Sequence, residues 1–218
     1  DDPRLDNMIG EDNAPLAKPD TDAESIATID GAPLLISFER RHRIWRNDTV
    51  GAAPQALPTP AALSKLPNNG GVEAMTFLCD GRLLIVAEKN ETRDTHVQGW
   101  LQSGEGWETF TYKTTAGFRP TGAATLPNCN IIFIERSFSF LSGIAARVVI
   151  IDAAALRPSS AIEPVEIARF EDSLTIDNME GISARRSDAG ETLIYLISDD
   201  NYNPLQRTIL MMFALTPP

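Results

Sequence analysis

One short acidic pattern occurs twice at a fixed interval, and it restricts the chain to very few architectures. Asp22-Ala23-Glu24-Ser25-Ile26 is followed by Leu34-Leu35-Ile36-Ser37-Phe38-Glu39-Arg40, and Gly71-Val72-Glu73-Ala74-Met75 by Leu83-Leu84-Ile85-Val86-Ala87-Glu88-Lys89. The two acids stand 15 residues apart in both copies (39 − 24 and 88 − 73), and the copies stand 49 apart (73 − 24). A period near 50 built from short strands is the mark of a propeller blade. A charge fixed at one point of every blade is then gathered around one axis.

The pattern can be followed to the end of the chain. In the first unit, strands at 25–29 and 33–39 flank Asp30-Gly31, a hairpin signal, and 42–46 adds a third. A Pro-rich link over 54–67 carries a short helix at 60–66. In the second unit, 73–78 and 82–88 flank Asp80-Gly81, and 97–102 and 107–113 flank Gly104-Glu105-Gly106. The third unit places strands at 121–125, 130–136, 147–151 and 165–170, with Thr121 where the first acid would be. The fourth runs through Asn178-Met179-Glu180-Gly181-Ile182, 192–198 and 208–215. The expected fold is all-β: a β-propeller of four-stranded antiparallel blades over residues 22–218. Residues 1–21 read as a loop or the remnant of a preceding blade. Four units suggest part of a five- or six-bladed propeller, whose open edge a companion chain or self-association would cover.

Composition narrows the function classes. The formal net charge is −11 and the pI about 4.6, which disfavours nucleic acid and anionic membrane surfaces as partners. No apolar run reaches the roughly 20 residues of a membrane span. The chain opens at Asp1 and reads as a mature or trimmed product. The two cysteines, Cys79 and Cys129, fall in the same hairpin turn of adjacent units, and a disulfide and two free thiols both stay open. No G-x-S-x-G, H-E-x-x-H or P-loop spacing occurs. His42 and His96 lie in different units and read as edge residues rather than metal ligands, and Trp45, Trp100 and Trp107 read as blade packing.

In a hairpin, the start of the first strand and the end of the second lie at the same end. Glu24, Glu39, Glu73, Glu88, Glu135, Glu180, Asp199 and Asp200 therefore collect at one channel mouth. Repeated acids there can simply cap strand ends. Crowded together, they instead repel until a hard cation binds, basic side chains interleave, or some carboxyls keep their protons. Arg119 and Arg207 lie beside them and are suited to clamp an anion by forked hydrogen bonds.

Several phrases also occur together: Asp22-Ala23-Glu24-Ser25-Ile26, Ser37-Phe38-Glu39-Arg40, Phe118-Arg119-Pro120-Thr121, Asp177-Asn178-Met179-Glu180-Gly181-Ile182, Ser198-Asp199-Asp200-Asn201 and Pro204-Leu205-Gln206-Arg207-Thr208. This combination resembles the bacterial "esterase-like activity of phytase" family, also called phytase-like proteins. The resemblance covers the chain from about Asp20. It implies a β-propeller exported to the periplasm or beyond, with a phosphoester- or ester-hydrolysing role. In the related propeller phytases, calcium in the acidic mouth holds phosphate. The expectation is then a Ca²⁺ site drawn from the eight acids above. Glu180, Arg119 and Arg207 would be catalytic, a small anionic or phosphorylated molecule the ligand, and water activated by the cation the nucleophile. A non-catalytic binding propeller and a metal-dependent sugar-lactone hydrolase are the alternatives.

Overall fold

The computed structural model describes residues 6–31, 33–89, 95–115, 117–139, 143–171 and 176–216; residues 1–5 of the stretch read as loop lie outside the described residues. Four twisted antiparallel sheets stand side by side around a channel, one for each unit of the repeat. Blade 1 holds β1 (Ala23–Thr28), β2 (Leu34–Phe38), β3 (Arg43–Asn47) and β4 (Gln55–Ala56). Blade 2 holds β5 (Val72–Phe77), β6 (Leu83–Ala87), β7 (His96–Ser103) and β8 (Gly106–Lys113). Blade 3 holds β9 (Arg119–Thr125), β10 (Ile131–Ser139), β11 (Gly143–Ile151) and β13 (Val165–Phe170). Between the last two, β12 (Ala161–Ile162) crosses back and pairs in parallel with the outer edge of blade 2. Blade 4 has three strands among the described residues: β14 (Met179–Arg186), β15 (Thr192–Ser198) and β16 (Leu210–Leu215). The helix expected at 60–66 is a 3₁₀ turn, Ala61–Lys65.

The packing explains why the second strands are the most apolar. Every residue of β6 is buried. Its alternate side chains go to opposite faces: Leu83, Ile85 and Ala87 join Leu35, Ile44, Leu63 and Trp100 against blade 1, while Leu84 and Val86 join Ile131, Phe133 and Phe110 against blade 3. β10 divides in the same way, with Ile132 and Ile134 packing against Ile194 and Leu196 of blade 4. A strand sandwiched between two neighbours has no solvent face, so its sequence loses the polar–apolar alternation of a half-exposed strand. The end blades bury one face and leave Ile26, Ile197, Leu210 and Met212 exposed.

The far ends of the hairpins share one turn. Gly81 N donates to Leu78 O, Cys129 N to Leu126 O and Gly190 N to Ser187 O, at 2.8–2.9 Å. All three donating residues have positive φ, at 84°, 69° and 85°. Cys129 thus stands where the neighbouring blades use glycine, and it is disulfide-bonded to Cys79. The bond ties blades 2 and 3 together at the channel end opposite the acids.

Gly99 in β7 is required for a different reason. A Cβ there would come within 2.2 Å of the Phe110 ring on the paired strand. Gly99→Ala is expected to lower unfolding free energy by about 1–3 kcal/mol through overpacking, measured by urea denaturation.

Candidate functional site

Each innermost strand carries a β-bulge, and the bulges fall at one position of the repeat. Pairing of β1 with β2 slips between Ala23 and Ser25, leaving Glu24 over. The slip in blade 2 leaves Glu73, that in blade 3 leaves Thr121, and that in blade 4 leaves Glu180. A bulge sets two residues against one and re-aims the extra side chain. Here the re-aimed residues converge where the four first strands begin. Close backbone approach tightens the ring: a Cβ on Gly122, next to Thr121, would lie 3.0 Å from Glu180 O.

A second set of positions faces the first across each hairpin. Glu39 N donates to Asp22 O, Glu88 N to Gly71 O and Asp199 N to Asn178 O, at 2.9–3.0 Å. In blade 3 the residues in this register are Arg119 and Arg136. This corrects the expected placement of Glu135. It sits one residue earlier, opposite Pro120, in the register of Phe38, Ala87 and Ser198. A one-residue slip in a strand turns the side chain to the other face. Glu135 is accordingly 0% exposed and turned toward blade 2, where Tyr112 Oη donates to Oε1 at 2.7 Å and Arg147 Nε to Oε2 at 2.5 Å. Spacing contained the signal: the step from Glu73 to Thr121 is 48 residues (121 − 73), and 48 residues from Glu88 is Arg136.

The mouth is therefore polar in the electrical sense. Blade 1 contributes Asp22, Glu24 and Glu39; blade 2 contributes Glu73 and Glu88; blade 4 contributes Glu180 and Asp199. Blade 3 contributes no acid but Arg119, Thr121 and Arg136. Thr121 is itself tied down, its hydroxyl donating to Met179 O at 2.9 Å. One oxygen from each of Asp22, Glu24 and Glu39 lies within 4.8 Å of the others. Asp22 also accepts from Arg40 Nε, and Glu88 pairs with Lys89 at 2.9 Å.

Burial and mutual repulsion disturb the carboxyls. Burial, then Glu39, Asp22, Glu180 and Glu88, push Glu24 up to about 8. Glu73 is raised well above the ordinary carboxyl range by burial and by Glu88 and Glu24. Burial also raises Glu39, with Asp22 adding to it. Burial raises Glu180, but Arg136 at 3.6 Å and the Asn178 amide, donating to Oε1 at 2.5 Å, act against it.

Asp199 and Asp200 follow β15 and shape the loop beyond it. Asp199 Oδ1 accepts from Asn201 N at 3.0 Å, and Asp200 accepts from Tyr202 N at 2.9 Å and Thr208 Oγ1 at 3.2 Å. Arg207 is exposed, and its guanidinium makes no ion pair among the described residues. Its main chain is anchored by Asp177, a buried residue that accepts from Arg207 N at 2.9 Å and Gln206 Nε2 at 3.3 Å.

The phytase-like sequence profile, described as "Esterase-like activity of phytase", matches residues 4–202. The chain belongs to the phytase-like family. No curated protein sequence matches it. Among solved structures, the phytase-like chain is similar to an endo-arabinase from Bacteroides thetaiotaomicron (14% identity, 93% of this chain and 80% of that one, TM-score 0.55). It is also similar to an α-L-arabinofuranosidase from Podospora anserina, solved with cellotriose (11%, 85% and 69%, TM-score 0.50). A Dyadobacter fermentans protein of unknown function matches over 86% of this chain and 51% of its own (14% identity, TM-score 0.50). At such identities the likeness is one of fold. Within the phytase-like propeller, Arg136 is legible in the sequence as a basic residue beside the acids, but its place in the register of the second acid and the four bulges are not. A bulge has no signature beyond the small residue after it, here Ser25, Ala74, Gly122 and Gly181.

Proposed function

We propose that this phytase-like propeller is a metal-assisted phosphoester or ester hydrolase working at its acidic mouth. The observation that carries the reading is the Asp22, Glu24 and Glu39 cluster, three carboxylate oxygens within 4.8 Å of one another. An all-oxygen donor set suits a hard cation such as Ca²⁺, and Glu24 and Glu73, raised first by burial and then by neighbouring carboxylates, are groups whose charge a cation would stabilise. Asp22, Glu24 and Glu39 would hold the ion, with Glu73 and Glu88 adding charge beside it. A divalent cation held there would supply Lewis-acid polarisation of a phosphoryl or carbonyl oxygen. Glu180, hydrogen-bonded by Asn178 and paired with Arg136, takes the proton of the attacking water. Arg119, on the blade that brings no acid to the mouth, holds the anionic group, with Arg207 of the loop after β15 as a second cation. Export to the periplasm or beyond accompanies this reading, and the Cys79–Cys129 disulfide supports an oxidising compartment.

Hydrolysis of phosphomonoesters, carboxylic esters and sugar lactones, with Ca²⁺ and with EDTA, tests the proposal. Calcium-dependent turnover of a phosphomonoester or ester is expected. Glu180→Gln should lower it by about 10²-fold or more. Lactone turnover alone, or full activity of Glu180→Gln in EDTA, overturns it.

A further inference from the structure

The channel below the mouth holds a cavity of about 330 Å³. Its wall is built from one position of the repeat: residues 26–28, 75–77, 123–125 and 182–184, each set starting two residues after the bulge of its strand. At about 3.4 Å of rise per residue, the cavity begins about 7 Å below the bulged residues. On a chain of net charge −11, none of these wall residues carries a charge. Blades 1 and 2 bring the large apolar side chains Ile26, Met75 and Phe77, and the small Ala123 and Ala124 of blade 3 leave room between them.

The hydroxyls of blades 2 and 3 do not call for water. Thr125 Oγ1 donates to Phe77 O at 2.6 Å and lies 3.4 Å from Thr76 Oγ1. A water molecule in a cavity needs about two to four polar partners, and these groups already serve one another. Ile26, in contrast, is 62% exposed although it stands on an innermost strand. Apolar surface left open inside a cavity of this size favours an apolar guest.

From this we infer that the cavity receives the alkyl chain of a carboxylic ester whose carbonyl lies at the mouth, so that the substrate class is esters of aliphatic acids. The inference rests on the hydrolase reading of the mouth and narrows it. In the reaction, the oxygen of water bonds to the acyl carbon as the acyl C–O bond breaks. One proton of the water passes by way of Glu180 to the leaving alcohol oxygen, and the other is released as the carboxylic acid ionises. The acids above the cavity then repel the carboxylate product. Depth along the channel, and not charge, selects the chain.

Two measurements on the full chain test this. One is calorimetric binding of the neutral amides hexanamide and acetamide. The other is kcat/KM for p-nitrophenyl acetate, butanoate and hexanoate in Ca²⁺. Hexanamide should bind far more tightly than acetamide, and kcat/KM should rise about fourfold for each added methylene until the cavity is full. Ile26→Asn is expected to weaken hexanamide about tenfold and to lower the hexanoate-to-acetate ratio of kcat/KM by a similar factor. Ser183→Asp, a second change at an exposed position, should act in the same direction. Wild-type values of both quantities in both variants overturn the inference, as does equal binding of the two amides. Ester turnover that ignores chain length, or turnover of phosphomonoesters alone, keeps the mouth reading and removes the cavity from it. Ile26-dependent binding of hexanamide by a protein that hydrolyses no ester of either kind removes the hydrolase reading and the acyl role with it, and leaves a cavity for a neutral alkyl ligand.

Discussion

Arg147→Ala is expected to lower the unfolding free energy by about 3–5 kcal/mol, measured by urea denaturation near neutral pH. Arg147 is buried where blades 2 and 3 meet, its guanidinium 4.6 Å from the centre of the Phe118 ring. It donates to Glu135 at 2.5 Å, to Thr115 Oγ1 at 2.8 Å and to Glu166 at 3.3 Å. The direct worth of the Glu135–Arg147 pair is modest, because both groups were stripped of water to form it. The large effect comes from what is left behind. Glu135, with no exposure at all, keeps only the Tyr112 hydroxyl. Burial already raises Glu135, and Tyr112 and Arg147 act against that. Without Arg147 the carboxyl takes up a proton more readily, so the loss should shrink as the pH is lowered. Arg147→Met with Glu135→Gln should cost much less than Arg147→Ala, since no charge is then stranded. A loss below about 1 kcal/mol for Arg147→Ala would show that the pair does not bind the blades together.

This network also marks how far the sequence could be read. The acidic repeat was visible because Glu24, Glu39, Glu73 and Glu88 recur at constant spacing, and the strands between them follow from it. The runs at 83–87 and 131–134 are legible as hairpin strands, and their burial on both faces follows from the neighbouring blades. What the repeat could not convey is the pleat. In blade 3, Glu135 and Arg136 are adjacent, and either could stand for the second acid by eye. The bulge at Thr121 decides which one reaches the mouth, and a bulge is a property of pairing rather than of either strand alone. Tyr112, the partner of Glu135, lies on a different blade, beyond the reach of any local pattern. The two-residue strands β4 and β12 are too short to show a period, and β12 exists only because blade 2 offers it an edge. Asp177 was visible as part of a family phrase, but its task of anchoring the Arg207 backbone depends on a loop closing over it.

In EDTA, thermal stability is expected to fall as the pH rises from about 5 to about 8, by roughly 5 °C or more in Tm. In the unfolded chain Glu24 loses its proton near 4.5, whereas in the folded protein it keeps it until about 8. Between those values the native state holds more protons than the unfolded one, so removing protons favours unfolding. Glu39, Glu73 and Glu180 are raised too and act in the same sense. Asp80 and Glu166, held below their usual range by Arg82 and Arg169, lose their contribution only at more acid pH and do not offset the trend. Calcium should reverse it. Saturation a hundredfold above Kd adds about 2.7 kcal/mol, and the gain should be larger at pH 8 than at pH 6, because protons compete with the cation for the same oxygens. Glu24→Gln removes a half-buried, repelled charge and one ligand together. It should flatten the pH dependence in EDTA, raise Tm at pH 8 without metal, and abolish most of the response to calcium. A Tm that is independent of pH in EDTA and unmoved by calcium would falsify the account of the mouth as a site strained by its own charge. If the pH dependence appears without a calcium response, the carboxyls are strained but are not ligands, and Asp22, Glu24 and Glu39 would then serve as proton-bearing groups instead of a metal cradle.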